Sequence, residues 1–188
     1  MATKNAITNY AHQFYLSGVQ LSGVTSVGGS YSISESAINI IGKGYTFPER
    51  SGPMVGKFSI SKYYIGQESL LNYTGDNPIS GSINYDDKNF GFESGYLTDY
   101  SINCSVGGIP TATAGIEVYG DIGSGINSSG SNPQPDIQIP NQGSISLNAS
   151  GYQSNRITDF SYSLRTNRSA LYKVGSAYPV QVDRKFPL

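Results

Sequence analysis

The feature that most constrains this chain is an alternation of apolar and small polar residues over short segments. In the clearest segment, residues 55–64, Phe58 and Ile60 alternate with Lys57 and Ser59. A two-residue period places successive side chains on opposite faces of a β-strand. The same alternation recurs in residues 79–85 and 97–106, and 97–106 is expected to pair antiparallel with a strand at 114–119. A strand that begins at Phe90 is expected to break at Gly95, and a further strand is predicted at 144–147. The sequence therefore predicts an all-β fold built from many short strands.

The composition agrees with short strands joined by turns. Of the 188 residues only 13% are charged, and 23 are glycine. Glycine and serine are poor residues for helix interiors. Disorder is disfavoured, because disordered chains lack aromatic residues and this chain has 15 Tyr and 7 Phe. At this length one domain, residues 1–188, is expected.

Three segments depart from the strand pattern. Residues 66–73 are the best helix candidate, and the turn residues from Gly75 to Pro78 end it. Residues 42–54 and 120–143 are expected to be long loops. The second is rich in Gly, Ser, Asn and Pro, and loops of that length inside a compact domain are usually functional or disordered.

Similar phrases occur in three strands, at residues 23–34, 96–106 and 156–166. The last two share the order Thr-Asp-aromatic-Ser, at Thr98 and at Thr158. The unequal spacing of the three phrases excludes a solenoid of fixed period. Two interpretations stay open: convergence on a common strand pattern, and duplication of a β-hairpin.

The residues needed for common catalytic or metal sites are scarce. The chain has one histidine, His12, and one cysteine, Cys104. A zinc site of the usual composition and a serine–histidine–acid triad are therefore disfavoured. By alternation Cys104 shares a face with Tyr100 and Ile102, which predicts a buried thiol.

The acidic and glycine-rich segments also have simpler explanations than chemistry. Asp86 and Asp87 fall in an expected hairpin turn, where aspartate is favoured for geometry. The glycine-rich stretch 120–126 lacks the lysine of a phosphate-binding loop. We therefore expect neither enzymatic activity nor a cofactor.

Charge and hydropathy restrict the compartment and the partners. Formal net charge is −1, and the basic residues near the C-terminus are separated by apolar residues. A conventional nucleic-acid-binding patch is thus not expected. No apolar run reaches 18 residues, which predicts no membrane span, and no signal peptide is expected at the N-terminus. Synthesis in a cytosol follows as the default.

Four phrases of the sequence resemble one family of proteins. They are Gly-Val-Thr-Ser-Val at 23–27, residues 56–64, Gly-Ser-Ile-Asn-Tyr at 81–85, and residues 95–101. They are similar to strand phrases of the tail tube, or major tail, proteins of long-tailed bacteriophages, and the resemblance extends from Phe14 to Val182.

The resemblance implies a β-sandwich or half-barrel with one short helix. Such subunits form rings, usually of six, that share strands between neighbours and stack into a tube. The chain would then be made in the bacterial cytoplasm and end in the tail of the virion. Its partners would be further copies of itself and other tail or neck proteins. One of the two long loops would contact the next ring, and the sequence does not decide which.

In that family DNA passes through the lumen of the tube. Because Lys and Arg contacts make proteins adhere to DNA, a conduit should be neutral or acidic inside. Glu93, Asp99 and Glu117 lie on predicted strands and are the candidate lumen-facing residues.

Other functions stay open at this point. A head–tail connector, a tail terminator and a capsid decoration protein are structural alternatives. A carbohydrate- or receptor-binding β-sandwich belongs to a different class. It is less favoured, because the chain has no Trp and no evident cluster of metal ligands.

Overall fold

A computed structural model describes residues 13–39, 41–42, 46–50, 52–65, 68–85, 88–128, 130 and 157–185. The strands in these ranges are β1 (Gln13–Leu16), β2 (Val19–Gln20), β3 (Val24–Ser32), β4 (Glu35–Asn39), β5 (Thr46–Arg50), β6 (Val55–Tyr63), β7 (Ile79–Tyr85), β8 (Lys88–Ser105), β9 (Thr111–Val118), β10 (Ile122–Ser124), β11 (Asp159–Arg165), β12 (Arg168–Leu171) and β13 (Gln181–Arg184). A single 3₁₀ turn, Leu70–Tyr73, is the helical element described.

Nine of the described strands form one antiparallel sheet around the long strand β8. The main order is β2-β1-β7-β8-β9-β6-β3, and β10 and β11 also pair with β8. Gly95, in the middle of β8, pairs with Ile79 of β7 and with Val118 of β9. Strands β7 and β9 therefore lie on opposite edges of β8. Strand β11 pairs with the C-terminal half of β8 and β10 with the N-terminal half.

This pairing divides the sheet into two layers that share β8. The five-stranded layer has the order β3-β6-β9-β8-β11 and uses residues 97–105 of β8. The second layer contains β2, β1, β7, residues 88–95 of β8, and β10. The layers pack face to face, since Phe58 of the first lies 4.6 Å from Phe92 of the second, ring centre to ring centre. The all-β sandwich expected from the sequence is confirmed.

The core between the layers is built by alternation. Along β6 and β9 every second side chain is buried, and the others face away from the core. The fully enclosed members include Leu16, Ile60, Phe92, Ile116 and Val118. Burying side chains of this size contributes about 1.5–3 kcal/mol each. The predicted strands at 55–64 and 79–85 and the antiparallel pairing of 97–106 with the strand near 114–119 are confirmed.

The helix at 66–73 is shorter than predicted. Residues 66 and 67 lie outside the described ranges, and the described part is the one 3₁₀ turn. Its N-terminal residue Ser69 makes no capping bond through its side chain. The Glu68 carboxylate instead accepts the Leu70 amide at 3.0 Å. A segment this short cannot complete α-helical bonds before Gly75, so it closes as a tighter turn.

Strand β8 is longer than predicted, because Gly95 does not interrupt it. A Cβ at Gly95 would lie 2.5 Å from the Phe92 ring and 2.8 Å from Ile116. Glycine is therefore required there for the layers to approach. The bend is produced nearby, where Ser94 has a positive φ of 52° and the pairing register shifts.

The two expected loops both contain strand. Within 42–54, β5 pairs with β4 to form a separate two-stranded sheet. The other segment begins with β10, and residues 131–143 lie outside the described ranges. His12, Asp86, Asp87 and the strand predicted at 144–147 also lie outside them.

Cys104 is less buried than the alternation predicted. Its thiol is free and half-buried. Cys104 pairs with Phe160 of β11, which is itself exposed. The faces of β8 and β11 extend past the second layer at this end, so alternation alone does not bury them.

Candidate assembly surfaces

The five-stranded layer presents a face of small hydroxyl residues on the side away from the core. One row crosses all five strands through successive pairs, and its members are Ser26, Ser61, Thr113, Ser101 and Ser163. Ser101 and Thr113 share a hydrogen bond of 2.7 Å between their hydroxyl oxygens. We call this side of the layer the hydroxyl face.

At the end of the hydroxyl face that carries Asp99, the charges occur in pairs. In the next row Asp99 accepts a hydrogen bond from Arg165 at 3.0 Å, and both side chains are exposed. One row further, Lys57 of β6 faces Glu117 of β9 across the strands. This part of the face is therefore close to neutral.

In the described part of the chain the layer ends in two edge strands, β3 and β11, which we call its free edges. Within the described residues β3 pairs with β6 alone, and β11 pairs with β8 alone. Side chains along both strands are mostly exposed; Tyr31 is 57% and Tyr162 is 44% exposed. An edge strand carries unpaired backbone N–H and C=O groups, which are a template for pairing with another chain.

Hydrogen bonds at the two ends of β11 show which of its residues point toward the free edge. The Val106 amide donates to the Thr158 carbonyl, and the Thr166 amide donates to the Thr98 carbonyl. Antiparallel pairs alternate between bonded and non-bonded. Phe160, Tyr162 and Leu164 therefore exchange bonds with β8. The N–H and C=O groups of the intervening residues, Ser161 and Ser163, point outward.

The hydrogen bonds of β6 show in the same way which residues of β3 point toward its free edge. The Tyr64 amide donates to the Pro110 carbonyl at 2.8 Å, so Phe58, Ile60 and Lys62 of β6 are bonded to β9. The alternate residues of β6 are then bonded to β3, where they face Ser26, Gly28 and Ser30. The backbone groups left pointing outward on β3 belong to Val27, Gly29 and Tyr31.

Each free edge separates the same two faces. On β11 the side chains of Phe160, Tyr162 and Leu164 share the core side of the layer, and those of the serines share the hydroxyl face. On β3 the core side carries Val27 and Tyr31. Gly29 belongs to the same side, since a Cβ there would lie 2.9 Å from the Phe58 ring.

The C-terminal hairpin of β12 and β13 is fastened to the body by two arginines, one buried and one half-buried. The Arg168 side chain is fully buried and donates to the Asp76 carboxylate and the Gly75 carbonyl, both at 2.6 Å. Arg184 donates to the Thr74 carbonyl and lies 3.4 Å from Asp76. The hydrogen bond from Arg168 is the main cause of a lowered pKa for the Asp76 carboxyl.

A groove of about 820 Å³ runs between the hydroxyl face and this hairpin. It includes Asp99 and Glu117, so the structure brings two of the three acidic candidates to one side of the molecule. Glu117 is half-buried, and it raises the pKa of Tyr119 by a hydrogen bond that adds to the larger effect of burial. Glu93 lies apart, at the bend of β8, in a smaller pocket with Asp121 and Tyr178.

One buried ion pair was not predicted from the sequence. Lys62 and Glu68 lie 3.2 Å apart, with side chains about 4% and 5% exposed. Burial of Tyr100, with Glu68 close by, raises the pKa of that phenol. The sequence does contain a signal for this buried lysine, because the alternation of β6 places Lys62 on the face shared by Phe58 and Ile60. A lysine there needs a partner inside.

The described part of the chain contains no grouping of three His, Cys, Asp or Glu side chains that could hold a metal. None of its helical segments has the length and apolar character needed to cross a membrane.

The fold is similar to that of chains in two solved assemblies. One is the PVC sheath/tube terminator of an extracellular contractile injection system in its extended state, with a TM-score of 0.52 and 12% identity. That match covers 62% of this chain and 95% of the other. The second is the tube terminating cap of the anti-feeding prophage, with a TM-score of 0.50, 12% identity, and coverage of 63% and 90%. No protein-family model and no curated protein matches the sequence. At this identity the likeness shows a shared fold.

Proposed function

We propose that this chain is a structural subunit of a phage-tail-like tube, in which copies join side by side into rings and the rings stack. The observation that carries the proposal is the pair of free edges, β3 and β11, at opposite ends of one layer. Contacts between two different patches of identical subunits close into rings or grow into tubes. The fold shared with chains of a tube terminator and a tube cap supports the same conclusion.

In this proposal the hydroxyl face lines the lumen. The opposite side of the five-stranded layer is covered by the second layer. The second layer would therefore form the outer part of the ring, and the five-stranded layer would form its inner wall. A surface of Ser and Thr with paired charges gives DNA few cationic contacts to adhere to. Asp99 is the lumen-facing acidic residue best supported by its position. Glu117 lies at the end of the face, beside the hairpin, and Glu93 lies at the bend.

The hairpin of β4 and β5 is the proposed contact between rings. It forms its own two-stranded sheet beyond the end of β3 and β6. A two-stranded hairpin alone is at best marginally stable in water. Ile38 in β4 and Ile33, just before the hairpin, are exposed. Docking on a copy in the next ring would cover them.

Electron microscopy of the purified chain over a concentration series tests the proposal. We expect rings and hollow tubes that increase with concentration. Monomers at every concentration, including in the presence of preformed tube fragments as nuclei, would contradict self-assembly. Under this proposal the chain's partners are other copies and further tail proteins, its location is the virion tail, and it has no catalytic role.

A tail terminator is the second candidate. It is favoured by the similar folds of chains in a sheath/tube terminator and in a terminating cap. A terminator closes one end of a tube and does not propagate. Rings that form readily but never stack in the concentration series would support it over the tube subunit.

A further inference from the structure

We infer that neighbouring subunits join by a parallel pairing of β11 of one copy with β3 of the next, so that the five-stranded layers form one continuous sheet. This inference rests on the proposed function, because it specifies the lateral contact of the ring. It adds the identity of both strands, their relative direction, and the residues whose backbone groups make the bonds.

The directions of the strands favour parallel pairing. Every neighbouring pair in the order β3-β6-β9-β8-β11 is antiparallel. With five strands, the first and the last run the same way. The rows of paired residues give the same direction. Ser26 of β3 and Ser163 of β11 lie in one row, and from that row both strands run toward the end of the sheet that carries Lys57. Rotation about a ring axis keeps that direction, so β3 of the next copy arrives parallel to β11.

The directions of the backbone hydrogen-bonding groups at the two edges also favour parallel pairing, independently of ring symmetry. The outward backbone groups of β11 belong to Ser161 and Ser163, which are on the hydroxyl face. Those of β3 belong to Val27, Gly29 and Tyr31, which are on the core side.

In an antiparallel pair, facing residues either both direct their backbone groups at the partner or neither does. Antiparallel pairing would therefore set Ser163 beside a core-side residue such as Val27, and the faces of the two layers would not match. In a parallel pair, a residue that directs both groups at the partner faces a residue that does not. Ser163 would then face Ser26, Gly28 or Ser30, and the hydroxyl face would continue across the join.

The side chains on the core side also match. In the parallel register that sets Ser163 opposite Ser30, Leu164 of one copy lies opposite Tyr31 of the next, and Tyr162 is a diagonal neighbour of Tyr31, within reach of an aromatic side chain. The two exposed tyrosines would bury each other's rings, and aromatic pairs add about 0.5–1.5 kcal/mol beyond the area buried.

As far as the described residues extend, neither edge strand carries the features that usually block such pairing. Edge strands are usually blunted by charges, prolines or short length. Strand β3 is nine residues long and has no charge and no proline. Strand β11 has charges only at its two ends, Asp159 and Arg165. An edge of this length and neutrality is suited to a partner strand.

Cysteine pairs across the join test the inference. In a Cys104→Ser background, each variant carries Ser163→Cys plus one cysteine in place of Ser26, Gly28, Ser30, Val27, Gly29 or Tyr31. A second series replaces Ser163→Cys with Ser161→Cys. The assembled protein is treated with a short bifunctional thiol reagent and run on a denaturing gel, where joined copies form a ladder.

We expect ladders only with cysteines at Ser26, Gly28 or Ser30. The reactive position on β3 should move two residues toward the N-terminus when the β11 cysteine moves from Ser163 to Ser161. Ladders at Val27, Gly29 or Tyr31, or movement in the opposite sense, would show antiparallel pairing and overturn the inference.

Two other results separate this inference from the proposed function. Rings visible by electron microscopy with no ladder in either series would overturn the β11–β3 join and leave the ring-forming function standing. Monomers at all concentrations in the parent Cys104→Ser protein and in the wild type would overturn both.

Discussion

The central strands β6 and β9 and the edge strands β3 and β11 follow the same sequence pattern but have different surroundings. In all four, small polar residues alternate with apolar ones. On β6 and β9 the apolar residues are enclosed; Ile60 and Ile116 are at most 1% exposed. On β3 and β11 the corresponding Tyr31 and Tyr162 are about half exposed. Under the proposed function, a neighbouring subunit covers the apolar side chains that the edge strands leave exposed among the described residues.

This comparison separates two uses of one pattern. In the centre, alternation stabilises the subunit itself. At the edges, under the proposed function, it provides matched faces for a neighbouring subunit and contributes little to the fold of the isolated chain. Substitutions at equivalent positions should therefore affect folding in one region and assembly in the other.

The largest expected effect is on folding, from a core substitution. Phe92→Ala removes a fully buried ring that packs on Phe58. It should lower the free energy of unfolding by about 3–5 kcal/mol. Tyr162→Ala on β11 is the matched control and should cost about 1 kcal/mol or less in the monomer. Urea unfolding at concentrations too low for assembly measures both. Equal losses would remove the distinction between centre and edge.

Proline substitutions on β11 should separate folding from assembly. The Tyr162 N–H is directed at β8, so Tyr162→Pro should cost the monomer about 3 kcal/mol. The Ser163 N–H is directed at the free edge, and proline is tolerated on edge strands in that orientation. Ser163→Pro should therefore change monomer stability by about 1 kcal/mol or less and abolish assembly. Sedimentation velocity and urea unfolding report the two effects, and Ser163→Ala should assemble normally. Normal assembly of Ser163→Pro would argue against β11 as an interface.

The C-terminal hairpin extends the comparison to a region held by polar contacts. Arg168→Met removes the bonds to Asp76 and Gly75 and should cost about 2 kcal/mol, in the range for hydrogen bonds to charged groups. Arg165→Met removes an exposed ion pair with Asp99 and should cost about 0.5 kcal/mol or less. Thermal unfolding compares them, and limited proteolysis should cut β12 and β13 faster in Arg168→Met. Similar stability of both variants would mean that the arginine does not anchor the hairpin.

A pH dependence should accompany this anchor. The pKa of Asp76 is lowered, mainly by the hydrogen bond from Arg168. A lowered pKa means that the contact stabilises the fold above the ordinary aspartate pKa of about 4, and that the contribution is lost as pH falls through the lower folded value. The backbone amides of β13 should shift in NMR spectra only below about pH 4. Asp76→Asn should eliminate that transition, and an unchanged titration in this variant would assign it to another group.

The smallest effect on folding is expected on the hydroxyl face. Asp99→Lys should alter monomer stability by about 0.5 kcal/mol or less, because the position is exposed. It would replace the paired acid by a second cation beside Arg165. Assembled tubes of the variant should retain short duplex DNA at low salt, and wild-type tubes should not. Asp159→Asn, at the other end of the layer, serves as the control. Equal retention by all three would place Asp99 outside the lumen.

Much of the fold could be predicted from local pattern. The predicted bounds of β6 and β7 agree closely with those in the structure, because the alternation of these strands is strict and turn residues lie at their ends. The predictions that failed involve distant partners. In the sequence Gly95 predicts a break in the strand, but in the structure a glycine is needed there because Phe92 and Ile116 leave no room for a side chain. Residues 46–50 read as loop but pair with β4. The resemblance predicted a structural protein that assembles. The positions of the three acidic candidates could not be predicted from the sequence, because they depend on how β8 pairs with its neighbours.

The sequence by itself determined the all-β architecture and the two-faced character of each strand, because a period of two is a local property of the extended backbone. The tertiary structure decided which strands are central and which are edges, and toward which side each edge directs its hydrogen bonds. Those features depend on strand order and on register between residues as distant as Ser101 and Ser163. No local pattern encodes the order of strands, since Ser–apolar alternation is the same in the middle of the sheet and at its ends.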